Sequence, residues 1–258
     1  MAACAGLISF GGSRTKILEW AAERDFTAGE IVSGPFRLLE LSRSRRRSPE
    51  ALTVYIEGDG APWATPFHPP RDPTPDRPLA LILAHADPSP SVVYLGRPCQ
   101  YLDAIALSAC DSAWWTTKRF APEVVAAYEE ALNVVKQRYG ANRLKLVGHS
   151  GGGVIATLLA YRRSDIEQLV TLGAPLALAE WTTLHDIAPL GDASDPAQQI
   201  GSLPSAVHLV GERDSTVPPA IVESFVRKKG GRLRVIPGYG HACCWERTWP
   251  KLLEEMLP

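Results

Sequence analysis

Gly148-His149-Ser150-Gly151-Gly152 stands between Arg143-Leu144-Lys145-Leu146-Val147 and Gly153-Val154-Ile155-Ala156-Thr157-Leu158-Leu159-Ala160-Tyr161. The first flank alternates apolar positions and reads as a strand entering a sheet. The second reads as a helix packed tightly at its start. A serine pinned between strand and helix has to occupy a sharp turn with strained backbone angles. Only small neighbours tolerate such a turn, which accounts for Gly148 and Gly152 two residues to either side. The turn lifts the hydroxyl above the sheet edge and aims the helix N-terminus at it, where backbone N–H groups can stabilise a developing oxyanion. A phosphate-cradling loop would need Gly-Lys-Ser/Thr after the glycines, and this stretch lacks it.

The turn resembles the nucleophile elbow of the α/β-hydrolases, a resemblance that implies an acid and then a histidine, each on a loop just beyond a later strand. Ala206-Val207-His208-Leu209-Val210-Gly211 reads as a strand that runs out into Glu212-Arg213-Asp214-Ser215-Thr216-Val217-Pro218. Asp214 is the preferred acid, placed to accept from a histidine Nδ1–H and hold the ring in the right tautomer, with Glu212 as the second candidate. Arg232-Leu233-Arg234-Val235-Ile236-Pro237 is another strand, followed by Gly238-Tyr239-Gly240-His241. The paired glycines let this loop fold back over the sheet edge and bring His241 to Ser150 as general base. The other five histidines have plainer readings. His149 packs inside the turn, His68 lies in a proline-rich loop and His85 in an apolar helix pattern. His185 falls in an irregular segment, and His208 is mid-strand.

The same resemblance implies a second oxyanion donor in the loop after the third strand. Leu52-Thr53-Val54-Tyr55-Ile56 reads as that strand and Glu57-Gly58-Asp59-Gly60-Ala61-Pro62-Trp63 as the loop, with Glu57-Gly58 where many hydrolases carry His-Gly. The chemistry requires a backbone N–H and room for close approach. Gly151 and Asp59 are assigned as donors, with Gly60 as the alternative to Asp59 and a plain glycine-rich turn as the competing reading.

With these pieces in place, the chain resembles the α/β-hydrolases from about Phe36 to its C-terminus. More narrowly, Val54-Tyr55-Ile56-Glu57-Gly58-Asp59-Gly60, Tyr94-Leu95-Gly96-Arg97-Pro98-Cys99-Gln100-Tyr101, and Cys110 with Trp114-Trp115 are similar to a bacterial subgroup whose members often begin with a lipoprotein signal. The resemblance implies a serine hydrolase in which Ser150, Asp214 and His241 act together, and it names no substrate.

The order of elements reads as an α/β fold, a mostly parallel doubly wound sheet with helices on both faces. A loop with Pro62, Pro66, Pro69, Pro70, Pro73 and Pro75 leads to a helix over 76–86 and a strand over 91–95. Val124, Val125, Tyr128, Leu132, Val135 and Tyr139 recur at helical spacing over 121–139, with Pro122 in the first turn and Gly140 as the stop. Residues 168–172 form a further strand, and the active site belongs at the carboxyl ends of the strands. Segment 174–201 is a short lid that leaves an open cleft. Trp63, Trp114, Trp115 and Trp181 are loop aromatics that line an acyl pocket or pack into the core. The run Arg43-Ser44-Arg45-Arg46-Arg47-Ser48 reads as a solvated hairpin turn between strands at 36–41 and 51–56.

At 258 residues, 45% hydrophobic and 21% charged, the chain suits a single domain over 36–258. Residues 1–35 read as an N-terminal segment, partly helical or a trimmed lipoprotein lead. A net charge of −1 gives no electrostatic case for nucleic acid. No stretch approaches the roughly 20 apolar residues of a transmembrane helix. Cys4 follows Ala2-Ala3 like the end of a lipobox, without the apolar region of an export signal. As printed the chain reads as cytoplasmic; a trimmed lipoprotein precursor would place it, lipid-anchored, at the cell envelope or in the periplasm. Cys99 and Cys110 lie on one excursion, close enough to form a disulfide, whereas Cys243 and Cys244 read as buried packing. No histidine or cysteine cluster has ligand spacing, so no metal and no cofactor is expected. The favoured reading is an esterase-type serine hydrolase acting on a small acyl substrate. Peptidase and thioesterase chemistry use the same machinery, and a non-catalytic binding protein on this scaffold is the reading from another class.

Overall fold

A computed structural model describes residues 9–44, 48–61 and 68–256. In chain order the elements are α1 (Arg14–Ala22), β1 (Thr27–Ser33), β2 (Phe36–Ser44), β3 (Ala51–Ile56), α2 (Leu79–Ala86), β4 (Ser91–Leu95), α3 (Ala104–Ser108) and α4 (Pro122–Tyr139). They continue with β5 (Arg143–His149), α5 (Gly151–Arg162), β6 (Ile166–Leu172), α6 (Leu178–Leu184), β7 (Ser205–Gly211), α7 (Pro219–Lys229), β8 (Arg232–Ile236) and α8 (Trp249–Met256). The strands form one sheet in the order β1-β2-β4-β3-β5-β6-β7-β8. β2 is antiparallel to both its neighbours, and every pairing from β4 to β8 is parallel.

Strands β3 and β4 are almost continuously apolar, and they and β6 are almost wholly buried, as expected where helices cover both faces of a parallel sheet. On one face Val124, Tyr128, Leu132 and Val135 of α4 pack with Val154, Ile155 and Leu158 of α5. On the other, Ile17 and Trp20 of α1, Leu79 and Leu83 of α2, and Trp249 and Leu252 of α8 form a second core. Helix α4 starts with Pro122 in its first turn and stops at Gly140, whose φ of 61° and ψ of 31° turn its N–H back to the carbonyls of Lys136 and Gln137. Among the described residues no helix is long and apolar enough to cross a membrane.

The hairpin read at 43–48 is corrected. β4 lies between β2 and β3, so the two strands are not partners. β2 runs on through Ser44, and Arg43 is buried rather than solvated. Its Nη1 donates to the His85 carbonyl (3.0 Å) and its Nη2 to the Asp87 carbonyl (2.7 Å), where a cation suits the carbonyl-rich end of α2. Residues 45–47 lie outside the described residues. The hairpin is instead at Gly34-Pro35, where Ser33 pairs with Phe36 across a two-residue turn and Gly34 has a φ of 54°. Within the segment read as a lead, α1 and β1 therefore belong to the same sheet and core.

Cys99 and Cys110 are disulfide-bonded, with Cα atoms 6.0 Å apart. Cys99 is itself in the core rather than on a surface loop. Cys243 and Cys244 are half-buried and bonded to each other, while the neighbouring Trp245 and Trp249 are fully buried. Closing the loop between Cys99 and Cys110 is worth roughly 3 kcal/mol in the chain-entropy model. The Cys99→Ser/Cys110→Ser double variant should lose about that much unfolding free energy in urea. Wild-type protein made in an oxidising compartment should show neither thiol blocked on alkylation without reductant.

His208 is fully buried in β7, with Nδ1 2.9 Å from Thr171 Oγ1 and its ring edge-on to Phe225. Desolvation lowers its pKa from 6.5 to about 4. The native state thus keeps the ring neutral where the unfolded chain protonates it. The associated stability is complete above pH 6.5 and is lost as the pH falls towards 4. Wild type should lose on the order of 3 kcal/mol more than His208→Asn across that window, measured by urea unfolding at each pH.

Candidate active site

Five strands end on a common edge. Ile56 is level with Gly148, His149 with Leu172, and Gly211 with Ile236. Ser150 follows β5 directly, as the N-cap of α5, with φ 51° and ψ −124°. Its N–H donates to the Leu172 carbonyl of β6 at 2.8 Å, which fixes the turn to the sheet. A Cβ on Gly152 would run into the Ile56 and Glu57 carbonyls, and one on Gly148 into the backbone of Gly152 and Gly153. Both flanking glycines are therefore required by close approach of backbone to backbone.

Ser150 Oγ is 3.1 Å from His241 Nε2, and His241 Nδ1 is 2.8 Å from Asp214 Oδ2. The other oxygen of Asp214 accepts from the N–H groups of Thr216 (3.0 Å) and Val217 (2.8 Å). This carboxylate is wholly buried, so its charge is held in a fixed orientation by three groups: the two N–H donors and the imidazole. Glu212, the second candidate acid, instead accepts from the Gly238 N–H (2.9 Å) and shapes the loop that carries His241. That loop is further pinned by Trp245, whose Nε1 donates to the carbonyls of Gly240 and His241 (both 3.2 Å). An imidazole held this way can take the serine proton and return it.

After β3, Glu57 is buried and its Oε1 accepts from the Gly58 N–H at 2.9 Å. That occupies Gly58 and leaves Asp59 as the next donor in the loop. No hydrogen bond of the Asp59 or Gly151 N–H is found among the described residues. His149 lies between these loops. Its Nδ1 is 3.9 Å from Glu57 Oε1, its Nε2 is 3.3 Å from the His241 carbonyl, and its ring is 5.0 Å from that of His241.

The structure thus gathers Ser150, Asp214, His241, Gly151 and Asp59 at one place, with Trp181 beside them. Trp181 is on α6, donates Nε1 to the Thr216 carbonyl (2.7 Å) and stacks under the Arg119 guanidinium at 5.7 Å. Trp114 packs edge-on to Phe36 and against the α4 core, and Trp115 donates to the Pro70 carbonyl (3.1 Å). Trp63 lies outside the described residues. Sequence reading missed Glu57, Arg97, Gln100, Arg119 and Trp245 as parts of this site. Among Arg97, Gln100, Arg119 and Trp245, only Arg97 and Gln100 carried a signal, since they lie in one of the stretches on which the family resemblance rests. Cavities of about 390 Å3 near Asn133 and Arg163 and about 280 Å3 near Glu40 and Tyr139 are not lined by Ser150, Asp214 or His241.

The profile of the PGAP1-like alpha/beta domain family matches residues 122–194, from α4 through the Ser150 turn to α6. No curated protein matches the chain. Among solved structures, an esterase from Pyrococcus furiosus is similar, at 13% identity and a TM-score of 0.63, over 93% of this chain and 92% of that one. Est1E from Butyrivibrio proteoclasticus is similar at 14% identity and a TM-score of 0.59, over 89% and 98%. So is a lidless α/β serine hydrolase from Xanthomonas campestris, at 13% identity and a TM-score of 0.57, over 90% and 92%. Strand order, crossover helices and these likenesses agree, and the chain has the fold of the α/β serine hydrolases over nearly its whole length.

Proposed function

We propose that the protein is a serine hydrolase that cleaves a carboxylic ester through an acyl-enzyme on Ser150. The observation that carries this reading is the relay from Asp214 through His241 to Ser150, at 2.8 Å and 3.1 Å, ending on a serine held in a strained turn. Ser150 Oγ attacks the ester carbonyl while His241 Nε2 takes its proton. Asp214 holds the imidazolium in orientation and remains ionised. The N–H groups of Gly151 and Asp59 receive the oxyanion of the tetrahedral intermediate, where fixed donors lower the barrier most. Collapse expels the alcohol with the proton from His241. Water then attacks the acyl-enzyme, with His241 again as base, and frees the acid. The catalytic unit is one domain over 36–258, to which α1 and β1 add packing and an edge strand.

The segment over 174–201 supports a small acyl group. Its helix α6 has seven residues and is fastened at both ends. Asp195 accepts from the N–H groups of Leu178 and Ala179, both at 3.2 Å. Trp181 and His185 both bond the Thr216 carbonyl, at 2.7 and 2.9 Å. A segment tied down in this way does not offer the hinge of a mobile cap.

Ser150→Ala should fold normally, lose labelling by a fluorophosphonate probe, and lose at least ~10³-fold in turnover of p-nitrophenyl acetate. His241→Ala should fall to a similar level, because the triad acts as a unit. Wild-type turnover in the Ser150→Ala protein would end the reading, and a thioester or peptide cleaved faster than any ester would redirect it. Across a series of p-nitrophenyl esters, short and medium acyl chains should be preferred. No jump in rate should occur as a longer-chain ester passes its micellar concentration.

A further inference from the structure

The Asp59 side chain carries a constraint that its N–H alone does not explain. Its carboxylate lies against Gly151, close enough that a Cβ on Gly151 would overlap it. Two arginines meet it from behind: Arg97 Nη1 at 3.4 Å and Arg119 Nε at 3.1 Å. Both guanidinium side chains are more than nine-tenths buried, whereas the carboxylate is about one-third exposed. The two contacts are charge contacts rather than aligned hydrogen bonds, since Arg97 Nη1, Arg119 Nε and Asp59 Oδ1 make none of good geometry. It is therefore the charge of Asp59 that the arginines hold.

The arginines are themselves fixed. Arg97 Nη2 donates to the Arg119 carbonyl (2.6 Å) and Arg119 Nη1 to the Thr116 carbonyl (3.2 Å), and both guanidinium groups lie 5.4 Å from the centre of the Phe120 ring. The segment bearing Arg97 is strained, with Cys99 at φ 67° and Tyr101 at φ 61°. It is braced by the bond from Gln100 Nε2 to the Gly58 carbonyl (3.1 Å) and from the Tyr101 N–H to Thr74 Oγ1 (2.7 Å), and by the disulfide to Cys110. Gln100 thus grips the residue before Asp59 while Arg97 and Arg119 grip Asp59 itself.

We infer that the Asp59 carboxylate is a positioning residue: held by Arg97 and Arg119, it sets the direction of the Asp59 N–H towards the oxyanion beside Gly151. This inference rests on the ester-hydrolase reading above and deepens it. A buried pair of like charges is unfavourable without a counter-ion, and proximity to Arg97 and burial both act to lower the Arg119 pKa while Asp59 acts to raise it. The carboxylate ties three segments, at 57–60, 97–101 and 116–120, to one point next to Ser150.

Asp59→Asn tests it, because the amide keeps the shape and loses the charge. Asp59→Asn and Arg119→Gln should each lower kcat for p-nitrophenyl acetate by about 10²-fold with KM within roughly threefold of wild type. Affinity for a trifluoromethyl ketone, whose hemiketal oxygen occupies the oxyanion position, should fall by a similar factor. Arg119→Lys should recover part of the loss, since it restores charge without the planar fork. Circular dichroism and Tm report folding for each variant, and Arg119→Lys keeps the test decisive if Asp59→Asn is poorly folded. A folded Asp59→Asn or Arg119→Gln protein with wild-type or higher kcat and unchanged ketone affinity would overturn the inference. If Ser150→Ala is inactive on the same ester in that case, the hydrolase reading stands and the clamp alone fails. If Ser150→Ala is active, the hydrolase reading itself fails.

Discussion

The backbone of Ser150, at φ 51° and ψ −124°, is the constraint around which the site is assembled. Conformations of this kind cost about 1–3 kcal/mol and persist only where the surroundings over-determine them. Here the N–H of Ser150 is bound to β6, the start of α5 is pressed against the carbonyls at the end of β3, and Gly153 lies against Ala174 beyond β6. Three neighbouring strands therefore have to end at the same level, which the parallel registers of β3, β5 and β6 provide. Slipping any one of them by a residue would fill the space that the glycines keep open.

Once that edge exists, chemistry can be delivered by loops. Asp214 and His241 lie on the loops after β7 and β8, and neither holds its orientation alone. Asp214 is set by two backbone N–H groups of its own turn. The loop of His241 is set by Glu212 at its start and Trp245 at its end, and Arg77 from before α2 reaches Glu246 (2.7 Å) just beyond. The rigid sheet supplies the level, and side chains from distant parts of the chain supply the angle.

The electrostatic character of the edge is mixed by design of the fold rather than by net charge. Glu57 and Asp59 put two carboxylates within one short loop beside Ser150, Glu57 towards His149 and Asp59 against Arg97 and Arg119. The esterase from Pyrococcus furiosus and the lidless hydrolase from Xanthomonas campestris share the fold at 13% identity. At that identity the likeness is one of fold.

The sequence by itself determined the features whose causes are local. The turn at Ser150 was legible because small residues are needed at fixed offsets from a nucleophile, and α4 because its apolar period, Pro122 and Gly140 agree. Asp214 and His241 were legible because their strands carry alternating patterns and their loops carry turn residues. Tertiary structure alone decided which strands pair. The strands read at 36–41 and 51–56 look like hairpin partners in sequence, yet β4 inserts between them, since pairing is settled by burial of the whole sheet and not by proximity along the chain. It also decided that Arg43 is buried, that Glu57 occupies the Gly58 N–H, and that Arg97 and Arg119 converge on Asp59. These are contacts across roughly 40 to 60 residues in most cases, between charged groups whose type signals a solvated surface. The order in which the strands pair makes Arg43 interior, and the close approach of strand ends makes the Glu57, Arg97 and Arg119 contacts interior; periodicity along the chain carries no trace of either.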